Sequence, residues 1–152
     1  MKYHGISENE LRWQLVLDYT TLPAAGAWET SEGFECANFD TVVFYLTYEE
    51  DAQATDGAVD VMFQVSPFSE APATGVEWFD LTAYALGAIA AGADTESPIQ
   101  ANYIHFDPVS GDPEGFVFDI ELGSAVVRIR VLARESGDTD NPGEFSARMV
   151  LG

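Results

Sequence analysis

Apart from carboxylates, few side chains in this chain could do chemistry. There are two histidines, His4 and His105, one cysteine, Cys36, and six Lys or Arg against 26 Asp or Glu. The histidines lie far apart, and neither stands in H-E-x-x-H or H-x-H spacing. The sequence holds no G-x-S-x-G, Walker A or G-x-G-x-x-G run. No nucleophile is marked beside a base, so an enzyme is not expected.

The carboxylates collect in three runs: Glu49, Glu50, Asp51 and Asp56; Asp107, Asp112 and Glu114; Asp138, Asp140, Asn141 and Glu144. Hard cations such as Ca²⁺ want several convergent oxygens. None of the runs has EF-hand spacing, and a chain this acidic makes such clusters by chance. Solvated loops are therefore expected, with no metal and no cofactor. Pairs of carboxylates for glycoside hydrolysis are equally unmarked. A single cysteine excludes an internal disulfide and a cysteine metal cluster, and Cys36 reads as a buried apolar residue.

The scarce cations say more. Arg128, Arg130, Arg134 and Arg148 all fall near the C-terminal end. Arg128, Arg130 and Arg148 are expected on the outer face of the closing strands. There they either neutralise Asp119 and Glu121, the favoured reading, or form a stripe that docks on the acidic surface of a neighbouring subunit.

These residues need strands to position them. In Phe116–Leu122, Phe116, Phe118, Ile120 and Leu122 share one face and Asp119 and Glu121 the other. In Val127–Ala133, Val127, Ile129, Val131 and Ala133 share a face opposite Arg128 and Arg130. Gly123-Ser124 suits a two-residue hairpin, which sets Ile120 against Val127, Phe118 against Ile129 and Asp119 against Arg128. Glu144–Leu151 alternates again, with Phe145, Ala147, Met149 and Leu151 inward.

Upstream, Leu11–Tyr19 reads as a first strand with Leu11, Trp13, Leu15, Leu17 and Tyr19 on one face. One or two short strands follow between Trp28 and Cys36. Thr41–Tyr48 is apolar on both faces and is expected to be central or covered on both sides. Ala58–Ser66, Val76–Leu81 and Ile99–Phe106 complete the set, while Thr82–Ser97 fits neither period. Eight to nine short strands without a long amphipathic helix predict an all-β chain: an antiparallel, jelly-roll-like β-sandwich over residues 11–152, preceded by an arm at 1–10.

Composition sets the outer limits. The 152 residues suit one domain, and a hydrophobic fraction of 47% supplies a core. The net charge of −20 argues against nucleic acid and anionic membranes as partners. It suits either a high-salt medium or a basic partner surface. The first ten residues show no signal-peptide core, and the apolar stretch Ala83–Ala93 is too short to span a bilayer. Synthesis in a cytoplasm is expected.

Three segments resemble small virion proteins of tailed phages: FECANFDTVVFYLTYEED, VDVMFQVSPFSEAPATGVEWFDL and VRIRVLARESGDTDNPGEFSARMVL. The likeness runs from Phe34 to Leu151. It implies a β-sandwich that coats or extends the virion, of the capsid decoration (cement) or head-fibre type. A non-enzymatic role on the capsid exterior follows from that resemblance. Its partners would be the major capsid protein and further copies of itself, as a homotrimer. Subunit-contact candidates are Arg128, Arg130, Arg148, Trp28 and Trp78, and the arm at 1–10 could add a strand to a neighbour. The rival reading is a carbohydrate-binding or host-adhesion module of a tail or fibre, with Trp28, Trp78 and Tyr84 as platforms. Core packing is the stronger expectation for each of these aromatics.

Overall fold

Alternating apolar and polar side chains lay the chain into strands that need a second layer to bury their apolar faces. The computed structural model describes residues 13–81, 102–108 and 113–152. Ten strands lie among them: β1 (Trp13–Thr21), β2 (Glu29–Thr30), β3 (Phe34–Glu35), β4 (Thr41–Glu49), β5 (Val59–Ser66), β6 (Phe79–Asp80), β7 (Ile104–Phe106), β8 (Glu114–Glu121), β9 (Arg128–Glu135) and β10 (Glu144–Leu151). The expected arm at 1–10, the segment 82–97 with Tyr84, the start of the strand expected at 99–106, and Asp112 lie outside the described residues.

The first sheet has the order β1-β10-β4-β8 and the second β2-β9-β5-β6. Strand β3 also pairs with β9, and β7 with β5. Short strands thus share positions, and the two four-position sheets form an antiparallel jelly-roll-like sandwich. Ser31 explains one shared position. Its backbone N–H donates to Val131 O at 2.9 Å and its Oγ accepts from Val131 N–H at 3.0 Å. The side chain continues the ladder on β9 where β2 ends.

The inner faces follow the sequence pattern. Val42, Phe44, Leu46 and Tyr48 of β4 are buried against Val59, Val61 and Phe63 of β5 and Ile129, Val131 and Ala133 of β9. Phe145, Ala147, Met149 and Leu151 of β10 complete that interior. An aromatic seam joins the sheets: Phe44 lies 4.7 Å from Phe63, Phe63 6.0 Å from Phe118, and Phe106 4.0 Å from Phe116, centroid to centroid. Such pairs add about 0.5–1.5 kcal/mol each beyond area burial.

Two expectations about pairing fail. Strands β8 and β9 are not a hairpin: β8 pairs with β4 in the first sheet and β9 with β5 in the second. Residues 122–127 instead cross the sandwich. Leu122 N–H donates to Asp40 O on one side, and Val127 N–H to Ser66 O on the other. Both strands present apolar faces to one interior from opposite sheets, so alternation cannot separate a crossover from a hairpin. The Asp119–Arg128 pair is lost with it, since Asp119 stands opposite Val43 and Arg128 opposite Ser66.

Strand β1 also departs from simple alternation. Its register on β10 slips between Leu15 and Leu17 and again between Leu17 and Thr20. Each irregularity adds a residue to β1 and turns the following side chains over. Leu15, before the first slip and opposite Arg148, faces solvent, Leu17 after it packs on the core, and Tyr19 is exposed again, while Val16 is buried.

Candidate functional site

The outer face of the second sheet holds most of the described positive charge. On β5 and β9 the outward cross-strand pairs are Asp60 with Arg134, Met62 with Leu132, Gln64 with Arg130 and Ser66 with Arg128. Arg128 pairs with Glu77 and donates through Nε to Phe68 O at 2.6 Å. Arg130 Nε donates to Gln64 Oε1 at 2.7 Å, and Gln64 Nε2 donates to Asp80 Oδ1 at 2.6 Å. Both guanidinium groups stack on Trp78, at 4.9 Å for Arg128 and 4.4 Å for Arg130. Burial lowers the pKa of Arg130 from its usual range, with Glu77 acting in the other direction.

Further along the face, Asp60 is only 2% exposed and fully partnered. Its Oδ2 accepts from Arg134 Nε at 2.9 Å, and its Oδ1 lies 2.7 Å from His105 Nδ1. Arg134 in turn stacks on Trp28 at 4.5 Å and on Tyr103 at 5.2 Å. Ser136 Oγ approaches the same His105 Nδ1 at 3.3 Å. A serine–histidine–aspartate relay needs the two partners on opposite ring nitrogens. Here both address one nitrogen, so this trio cannot relay a proton through the ring.

Of the contact candidates, Arg128, Arg130 and Trp78 thus come together, and Trp28 joins Arg134. Arg148 does not belong to that group. It lies on β10 in the first sheet, so a single arginine stripe along neighbouring strands is not formed. Opposite it across strands stand Leu15 and Tyr45, and Tyr45 stands opposite Val117. Leu15, Arg148, Tyr45 and Val117 therefore make one row across the outer face of all four strands. Leu15, Tyr45 and Val117 are 47%, 43% and 62% exposed. The signal for this row was present in Thr41–Tyr48, whose apolar residues lie on both faces. Strand β4 is central, between β10 and β8, with its inner face buried and its outer face open rather than covered.

The acidic loops are tied by their own carboxylates. Glu50 Oε1 accepts from Gly57 N–H at 2.7 Å, and Asp51 Oδ1 from Gln53 N–H at 2.8 Å. Asp138 Oδ2 accepts from Asn141 Nδ2 and Thr55 N–H, both at 3.1 Å. These bonds, Asn141 foremost, hold the Asp138 pKa below its ordinary value. Glu49, Glu50, Asp51 and Glu144 line a shallow hollow with Thr21. Among the described residues no group of three or more His, Cys, Asp or Glu converges as a metal site would.

No protein-family model matches the chain, and no curated protein matches it. Solved structures do. A chain of infectious bursal disease virus, Gx strain, covers 91% of this chain at 12% identity with a TM-score of 0.54. The present chain spans only 31% of that one. A chain of the Triatoma virus empty capsid covers 99% of this chain, and 92% of itself, at 9% identity and a TM-score of 0.49. The K1 cleaved adhesin domain of Lys-gingipain from Porphyromonas gingivalis covers 92% of this chain, and 73% of itself, at 9% identity and a TM-score of 0.39. At such identities the likeness is one of fold alone: this chain is a β-sandwich, similar in fold to part of the infectious bursal disease virus chain.

Proposed function

We propose that the chain is a virion structural protein that decorates the outer surface of a tailed-virus head. The observation that carries the coarse reading is the eight-position jelly-roll sandwich, which superposes over 91% of its length on a virus chain. Fold by itself does not fix function, so this step is one of analogy. The finer assignment rests on the resemblance of Phe34–Leu151 to phage decoration proteins. The net charge of −20 favours the exterior, because packaged genome phosphates repel such a surface. The partners in this reading are the major capsid protein and further copies of the chain.

Carbohydrate adhesion is less well supported. A sugar platform needs an open aromatic face. Trp78 and Trp28 instead lie under Arg128, Arg130 and Arg134.

Immunogold electron microscopy of particles from the source culture, with antibody raised against the purified chain, tests the proposal. Gold on the outside of intact heads supports it. Unlabelled particles, with the chain recovered only in the particle-free fraction, overturn it.

A further inference from the structure

The geometry points to the outer face of the first sheet as a contact between two copies of this chain, related by a two-fold axis. This inference goes beyond the virion reading and does not depend on it.

Three observations carry it. The centre of the face is apolar and open: Leu15, Tyr19, Tyr45 and Val117 are all exposed, with Val43 and Val150 half-buried among them. In its midst stands Arg148, exposed, and the one described arginine with no hydrogen bond, ion pair or aromatic partner among the described residues. The second sheet uses every arginine it has; this sheet leaves its own unused.

The third observation is charge complementarity. Asp119 is exposed on the same face and also lacks a side-chain partner among the described residues. It stands opposite Val43 on β8, whereas Arg148 stands opposite Tyr45 on β10. The two charges therefore flank β4 diagonally, with Val43 and Tyr45 between them. A two-fold axis in the contact plane, crossing β4 between those residues, sets Arg148 of each copy over Asp119 of the other. Residue i meets j and j meets i, as an isologous contact requires. Tyr45 and Val43 then pack near the axis, and Glu49, Glu121 and Glu144 stay at the rim.

Four strands about 4.8 Å apart and eight residues of about 3.3 Å give a footprint on the order of 500 Å² per copy. That is at the lower end for a specific contact, so the dimer is weak and concentration-dependent. The net charge of −20 on each copy adds a long-range repulsion that salt removes. Association therefore strengthens with salt, the reverse of a contact driven by charge alone.

Sedimentation velocity of the purified full chain, from ~0.05 to ~1 M NaCl, tests this. A monomer–dimer equilibrium that tightens with salt is expected. Val117→Glu should weaken it by about 100-fold. Arg148→Asp and Asp119→Arg should each weaken it, since each sets like charges face to face. An equimolar mixture of those two single variants should dimerise as the unaltered chain does, because both cross-copy pairs are then opposite in sign. All three positions are exposed, and near-ultraviolet circular dichroism checks that the variants fold. A monomer at every salt and concentration overturns the inference. So does a trimer, a dimer indifferent to Val117→Glu, or a mixture that fails to recover.

Discussion

Tyr48 Oη donates a 2.7 Å hydrogen bond to Glu135 Oε2, and both side chains are fully buried. Tyr48 comes from β4 in the first sheet and Glu135 from β9 in the second, so the bond spans the sandwich. The carboxylate also accepts from Ala58 N–H at 2.8 Å, Gly137 N–H at 3.1 Å and Gly143 N–H at 3.0 Å. One inward-facing acid thus fastens three loop ends. Gly137 permits the closeness, for a Cβ there would lie 1.8 Å from Asp56 O. Burial first, then the bond to Glu135, raises the Tyr48 pKa far above the phenol range.

Removing that phenol oxygen with Tyr48→Phe leaves Glu135 three backbone donors. The expected loss is about 1.5–3 kcal/mol, as for a buried bond to a charged group. Glu135→Ala strands the tyrosine and three N–H groups together and should cost more than ~4 kcal/mol. Urea unfolding followed by tryptophan fluorescence gives both values. A Tyr48→Phe midpoint equal to that of the unaltered chain would show the bond to be unimportant.

The crossing between β8 and β9 gives a second prediction. Alternation suggested a hairpin with Asp119 against Arg128, whereas the structure sets Arg128 against Glu77 and places Asp119 on the other sheet. A double-mutant cycle of Asp119→Ala with Arg128→Ala should show coupling below ~0.5 kcal/mol. The cycle of Glu77→Ala with Arg128→Ala should give about 1 kcal/mol, since both partners are largely buried. Reversed magnitudes would restore the hairpin.

That contrast shows what was legible. Period-two patterning assigned the inner residues of β8, β9 and β10 correctly, because each strand needs only one apolar face. It could not say which sheet a strand joins, since Phe118 and Ile129 point to the same interior from opposite sides. The slips in β1 were invisible because no Gly or Pro marks them, so Leu15, Leu17 and Tyr19 were assigned to one face. The arginines were noticed for their scarcity. Among the described residues, their division into three with partners and Arg148 without depends on long-range pairing that no local spacing encodes. The bond between Tyr48 and Glu135 was hidden in the same way: an inward glutamate at the end of β9 looks like the start of a polar loop.

One end of the two central strands of the first sheet carries a repulsion that mutation can relieve. Glu144 of β10 stands directly opposite Glu49 of β4. Like charges in that relation are destabilising, and opposite ones contribute about 0.2–1 kcal/mol. Glu144→Lys should therefore raise the melting temperature by about 1–4 °C at low salt. The gain should fade as salt screens both arrangements. Calorimetry across a salt series measures this, and a gain unchanged in high salt would point to a non-electrostatic cause.

Cys36 offers a pH-dependent prediction. It is fully buried where β3 gives way to the crossing chain, its N–H donating to Val127 O at 2.7 Å. Burial, and secondarily the charge of Glu35, pushes its pKa from 9.0 up to about 11. Because the folded value is the higher one, the neutral thiol favours the folded state fully below pH 9.0. Above that the unfolded chain releases its proton first, and stability falls until the folded thiol ionises near pH 11. The loss across this window is roughly 2–3 kcal/mol. Cys36→Ala should start less stable, because it leaves a small cavity, yet lack this alkaline decline. A thiol reagent at neutral pH should label the folded chain only as fast as it opens, and label it at once in denaturant. Rapid labelling of the folded chain, or an identical alkaline decline in Cys36→Ala, would place the thiol outside the core.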